Sequence, residues 1–105
     1  MTLLDRISQF AKAVGQFHAA SIDLESLGDA APFPLVLANL LAHTHLAFSS
    51  RYRWVVAPAG ALILGGILEA EAAAVVAALE GAGFTLREQL AVDGWSSLWL
   101  EATGA

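Results

Sequence analysis

Apolar positions recur with two different periods along this chain, and the changes of period mark its elements. Leu3, Ile7, Phe10, Val14 and Phe17 are spaced by four and three residues, which makes one stripe of a helix. Thr2 precedes them and Asp5 follows it three residues on, an N-cap with an acid in the first turn. Gly15 weakens this helix by about 1 kcal/mol relative to alanine. Residues 1–20 therefore read as an amphipathic helix. Its stripe is a core face, because two heptads are too few for a coiled-coil seam. Ser21 to Pro32 is the most polar segment, with Asp23, Glu25, Gly28 and Asp29, and reads as a solvated loop with at most a short strand around Ile22.

From Phe33 the pattern becomes strand, helix, strand, helix, strand. Phe33-Pro34-Leu35-Val36-Leu37-Ala38 is an apolar run that stops at Asn39, as a strand buried on both faces would. Leu40, Leu41, Leu46, Phe48, Tyr52 and Val55 fit a helix between Asn39 and Val56, though loosely. Pro58-Ala59-Gly60 reads as the helix-to-strand joint. Ala61-Leu62-Ile63-Leu64 is a second continuous apolar run, closed by Gly65-Gly66. Glu69 to Leu79 is helical, and Gly81-Ala82-Gly83 ends it. Strands that alternate with helices in this way imply right-handed crossovers and a parallel sheet. Phe84 to Val92 is a further strand. Asp93-Gly94 is a strong hairpin signal, and Trp95 to Glu101 returns antiparallel. A two-residue turn pairs Val92 with Trp95 and Leu90 with Ser97, with Trp95 expected to pack into the core.

Composition narrows the function classes. The 105 residues hold 57% hydrophobic side chains and only 14% charged ones, against about 45–50% and about 25% in ordinary domains. Apolar surface beyond what one small domain hides is therefore expected, and with it self-association. Five basic residues against ten acids give a net charge of −5, which argues against nucleic acid or an anionic membrane as a partner. With no cysteine there is no disulfide, thiolate metal site or thiol catalysis. No uncharged run is long and unbroken enough to span a bilayer. No apolar leader follows the amino terminus, so a cytoplasmic location is expected.

Few residues carry a chemical signal. His43-Thr44-His45 would share a face in a strand, but in a helix the two imidazoles point about 200° apart, so they read as ordinary helix-start histidines. Gly81-Ala82-Gly83 follows a helix and precedes a strand, the wrong order for a phosphate cradle. Gly65-Gly66 stands after a strand and before a helix, where ligand loops of open α/β sheets lie, although a turn alone also explains it. Asn39 ends one strand and opens a helix at the carboxyl edge of the sheet. It can cap that helix or contact a ligand. No serine, histidine and acid are spaced as a nucleophile with its base.

Pro32-Phe33-Pro34-Leu35-Val36-Leu37-Ala38-Asn39-Leu40-Leu41-Ala42 resembles the fourth-strand segment of class I S-adenosylmethionine-dependent methyltransferases. The closest likeness is to the ribosomal protein L11 methyltransferase family. That family has an acid where Pro34 stands, followed by Ala-Asn-Leu/Ile-Leu-Ala. Arg51-Tyr52-Arg53, Pro58-Ala59-Gly60, Gly65-Gly66-Ile67-Leu68, Gly81-Ala82-Gly83-Phe84 and Trp95 extend the similarity, which covers roughly residues 22–100. The resemblance implies an α/β fold: the C-terminal half of a Rossmann-like methyltransferase sheet in residues 21–105, ending in an antiparallel hairpin. Its strands run in the family order fourth, fifth, seventh, sixth. Asn39 and Leu40 match family positions near the methyl donor and the substrate amine. Gly66 and Ile67 match the loop after the fifth strand. The family's Asp-x-Gly-x-Gly-x-Gly loop and ribose-binding acid have no counterpart here. The chain alone is thus expected to bind no cofactor, with S-adenosylmethionine as the ligand if a complementary protein half completes the site. The alternative is a non-catalytic oligomerisation or partner-binding module. Leu35 to Ala38 would then lie at an open apolar edge, which predicts a homodimer.

Overall fold

The computed structural model describes residues 32–104; the expected helix over residues 1–20 and the acidic segment before Pro32 lie outside the described residues. The elements are β1 (Phe33–Asn39), α1 (Ala42–Val55), β2 (Val56–Leu68), a 3-10 turn (Glu69–Glu71), α2 (Ala72–Gly81), β3 (Phe84–Val92) and β4 (Trp95–Ala102). The four strands form one sheet in the order β1-β2-β4-β3. β1 and β2 are parallel, while β4 is antiparallel to both β2 and β3. This is the strand order the family resemblance implies, a partial Rossmann-like sheet with crossover helices and a terminal hairpin. The hairpin register is also as expected, with Val92 opposite Trp95 and Leu90 opposite Ser97.

Strand parity sorts the side chains onto two unlike faces. Leu62, Leu64 and Ile67 of β2 join Leu98, Leu100 and Ala102 of β4 and Phe84 of β3 in the main core. That core is completed by Tyr52 and Val55 of α1 and Ala72, Val75 and Leu79 of α2. Both helices therefore pack on one side of the sheet. Ala61, Ile63 and Trp99 form a second buried cluster with Leu35 on the opposite face. Five strand residues of that face are large, apolar and exposed: Leu37, Leu68, Leu90, Val92 and Trp95. Arg87 crosses it, 3.6 Å from the Glu101 carboxylate and stacked over the Trp99 ring.

Several boundaries differ from the sequence reading. α1 begins at Ala42 with Leu41 as its N-cap, and no side chain caps it, so Asn39 ends β1 and does not cap the helix. β2 extends well beyond Ala61–Leu64. It starts at Val56 and passes through Pro58-Ala59-Gly60 as an irregularity in its pairing with β1, with Ala59 at φ 63°. Gly65-Gly66 likewise lies within the strand and does not terminate it. The second helix is delayed to Ala72 by the 3-10 turn. β1 pairs with β2 alone among the described strands and is half-exposed, not buried on both faces. Trp95 is a surface residue, 49% exposed beside the 57% exposed Val92, because odd-numbered β4 residues face away from the helices. Aromatic size had pointed inward where strand parity points outward.

The two faces should respond differently to truncation. Leu98→Ala removes a side chain with no exposed surface and should cost about 2–5 kcal/mol. Trp95→Ala should cost about 1 kcal/mol or less, the scale of a cross-strand pair. Urea unfolding of the two variants measures both.

Candidate functional site

The carboxyl ends of the parallel strands β1 and β2 carry the cleft. There β2 gains one residue relative to β4: Leu64 pairs with Leu98 and Ile67 with Ser96, so Gly65 and Gly66 together oppose Ser97, a β-bulge. On the other side Gly65 pairs with Asn39. Asn39, the two glycines and Ser97 thus stand side by side across three strands. Asn39, Gly65 and Ser97 line an open cleft of roughly 340 Å³ together with Leu37, Ala38, Ile63 and Leu64. The Asn39 amide and the Ser97 hydroxyl are its polar side chains, set against an apolar floor.

Gly66 is required by space as well as conformation, while a Cβ on Gly65 would press on the Asn39 side chain alone. A Cβ on Gly65 would lie 3.1 Å from Asn39 Oδ1. One on Gly66 would lie 2.5 Å from the Leu40 carbonyl oxygen and 3.0 Å from Asn39 Oδ1. Gly66 also has φ +79°, a conformation that side chains resist. Close approach of the β1–α1 turn to β2 therefore depends on Gly66.

Beneath the bulge, on the helix side, lies a polar pair inside the core. His45 and Tyr52 are both completely buried. His45 Nε2 is 2.8 Å from the Gly65 carbonyl oxygen, and Nδ1 is 2.8 Å from the Tyr52 hydroxyl. A carbonyl can only accept, so Nε2 carries the proton and Nδ1 accepts from Tyr52 O–H. The Leu40 N–H also points at the Gly65 carbonyl, at 3.3 Å. One oxygen thereby joins the β1–α1 turn, α1 and the bulge. Burial lowers the His45 pKa below 6.5, and hydrogen bonds to the Gly65 and Leu40 carbonyls only partly oppose it. Burial raises the Tyr52 pKa well above its ordinary value.

Of the residues singled out in the sequence, Asn39 lines the cleft, and Leu40 and Gly66 pack against each other beside it. Ile67 does not face it: its side chain is fully buried in the helix-side core, leaving only backbone to offer. His43 and His45 diverge, the first exposed and the second buried. Sequence reasoning passed over His45 and Ser97. The spacing of seven between His45 and Tyr52 puts both on one helical face, and the hairpin register puts Ser97 opposite the glycines; either signal was readable. Among the described residues no group of three or more His, Cys, Asp or Glu could hold a metal, and no helix is long and apolar enough to cross a membrane.

The family model for "Ribosomal protein L11 methyltransferase (PrmA)" matches residues 8–103. The chain belongs to this family. A ribosomal protein L11 methyltransferase of Rhodopseudomonas palustris (strain BisB5) is 35% identical over 98 residues, covering 93% of this chain and 33% of that protein. The relative from Thermus thermophilus is 44% identical over 64 residues, covering 61% and 25%. The PrmA-family chain thus spans about a third or less of the length of these curated relatives. Among solved structures, the ribosomal protein L11 methylase of Lactobacillus delbrueckii subsp. bulgaricus superposes with a TM-score of 0.67 at 23% identity. The superposition covers 73% of this chain and 41% of that one. The M1.HpyAVI–SAM complex superposes with a TM-score of 0.62 at 15% identity, over 85% and 55%. These two superpositions speak to the fold, which is that of a methyltransferase C-terminal part.

The buried imidazole makes stability depend on pH. Unfolded, His45 takes a proton near pH 6.5; folded, it resists until lower pH. Between those values the unfolded state binds more protons, so stability falls as pH falls. Above pH 6.5 the neutral ring contributes fully, and its contribution is lost as pH drops through the folded pKa. Urea midpoints from pH 7.5 down to pH 5 should therefore fall more steeply for wild type than for His45→Gln, which has no titrating group at this position.

Proposed function

We propose that this chain is the substrate-side lobe of a ribosomal-protein methyltransferase site. It would supply the Asn39–Gly66 wall of a cleft whose methyl-donor wall is provided elsewhere, by a longer polypeptide or by another chain. The observation that carries this reading is the Asn39 side chain held against the Gly65-Gly66 bulge at the carboxyl edge of parallel strands, where ligands of open α/β sheets bind. Family membership supplies the ligand class: S-adenosylmethionine as donor and an amine of a ribosomal protein as acceptor, in a cytoplasmic setting. An amide at Asn39 can accept from an amine N–H and orient its lone pair toward a methyl sulfonium. Bound there, S-adenosylmethionine would supply an electrophilic methyl group to the amine nitrogen, with S-adenosylhomocysteine and a proton as the other products. Nothing in the sequence corresponds to the family's donor-holding glycine-rich loop, so the lobe alone is expected to be inactive.

Calorimetric titration tests this. The 105-residue chain alone should give no saturable heat with S-adenosylmethionine at micromolar affinity; a dissociation constant below about 10 μM, roughly −7 kcal/mol, would contradict the need for a second wall. Adding a polypeptide that carries the relatives' donor-binding strands should restore binding. Asn39→Ala in the reconstituted pair should weaken turnover by about tenfold or more, the scale of one lost polar contact to the reacting groups.

A second reading, a homo-oligomerisation module, is favoured by the exposed apolar face and by β1, which pairs on one side only among the described strands. Two copies related by a two-fold axis could join β1 edges and bury that face. Light scattering at about 100 μM, well above ordinary interface dissociation constants, should then give a dimer mass, which Leu37→Lys, a charge on the exposed face of β1, should lower. A mass of 11 kDa for wild type would exclude the module reading and leave the lobe reading standing.

A further inference from the structure

The His45–Tyr52 pair is placed where a hydrophobic pair would serve the core as well. Both side chains have no exposed surface, and the surrounding cluster is apolar, with Phe48 edge-on to the Tyr52 ring. A buried imidazole is costly unless both nitrogens are satisfied, and here both are, at 2.8 Å each. The acceptor of the Nε2 proton is the feature that distinguishes the pair. It is the carbonyl of Gly65, the first residue of the bulge, which the Leu40 N–H also approaches. The peptide that follows this carbonyl leads into Gly66, whose φ of +79° sets the direction of the strand past Asn39. Whatever fixes the Gly65 carbonyl therefore fixes the cleft wall.

We infer that His45 is a positioning residue for the cleft. Its Nε2–H, held in that tautomer by the Tyr52 hydroxyl, anchors the Gly65 carbonyl on the helix side. The Gly65-Gly66 backbone and the Asn39 amide are thereby presented together on the opposite side. His45 touches no ligand; it acts through the bulge. The inference rests on the proposed function only for what the cleft binds. Its geometry is tested on the 105-residue chain without any ligand, so a failed donor titration and a failed anchor are separate results.

The test is nuclear magnetic resonance on the full chain. Nitrogen shifts of the His45 ring at pH 7.5 should report a protonated Nε2 and a bare Nδ1; the reverse tautomer would overturn the inference. His45→Leu should speed hydrogen exchange at the Leu40 amide by about tenfold or more relative to the Leu100 amide, a local opening, and shift the Gly65 and Gly66 resonances. His45→Gln, which keeps one donor and one acceptor, should return the Leu40 rate to within about threefold of wild type. Uniform acceleration across the sheet, an unchanged Leu40 rate, or no rescue by glutamine would each reduce His45 to a core residue. Should the leucine variant fail to fold, Tyr52→Phe decides. Loss of the single ring tautomer together with faster Leu40 exchange supports the anchor, and wild-type behaviour in both overturns it.

Discussion

The Gly65 carbonyl oxygen is the point on which this end of the molecule depends. It takes a backbone hydrogen bond from the turn after β1 and a side-chain bond from α1, while its own residue belongs to β2. That oxygen is committed to the β1–β2 ladder, in which Gly65 pairs with Asn39 and accepts from the Leu40 N–H. His45 meets it as a second donor from the helix side. Satisfying a carbonyl in the interior leaves little freedom, because an unpaired buried acceptor costs about 1–3 kcal/mol. The polar pair in the core and the cleft on the other side of the sheet meet at this one residue.

The bulge at Gly65-Gly66 also sets the division of the sheet into two faces. With side chains alternating at period two, a regular strand from Leu64 would send Ile67 outward and Leu68 inward. The added residue reverses both: Ile67 joins the core and Leu68 emerges beside Trp95. The helix-free face thereby gains a run of exposed apolar side chains at the end nearest the cleft. A high apolar content with few charges is what such a two-faced sheet requires when helices cover one face among the described residues.

Much of the architecture was legible in the sequence. The apolar runs at Leu35–Ala38 and Ala61–Leu64 fall in β1 and β2, the Asp93-Gly94 turn gives the hairpin and its register, and the family motifs give the strand order. The boundaries were not legible, for reasons that are physical. Pro58 and Gly60 read as a break because proline lacks an N–H and glycine weakens a strand, yet an irregular pairing absorbs both without ending β2. Glu69 begins a 3-10 turn where helix composition alone reads as α. Trp95 was assigned inward on size, whereas the face of a strand residue is set by parity from its paired neighbours. Chain order and resemblance single out Asn39, Leu40 and Gly66, which the structure brings together where β1 ends against β2. His45 was missed because adjacent histidines drew the question of metal, and a histidine's partners across a fold leave no local trace. Ile67 was included by motif alone, and its side chain proves to be core.

The juxtaposition at the cleft follows from sterics more than from attraction. Asn39 Oδ1 sits within about 3 Å of where a Cβ of either glycine would be, and a Cβ on Gly66 would also meet the Leu40 backbone, so the β1 carboxyl end can lie this close to β2 only while Gly66 lacks a side chain. No hydrogen bond to Asn39 is needed to hold it there, and the residue is exposed at the cleft. A side chain placed by the shape of its neighbours keeps its polar groups uncommitted, which is the condition for using them on a ligand. The histidine beneath achieves the complementary result: it spends both of its nitrogens inside the core and so has none to offer the cleft. The two residues thus differ in what they leave free, one on each side of the same glycine pair.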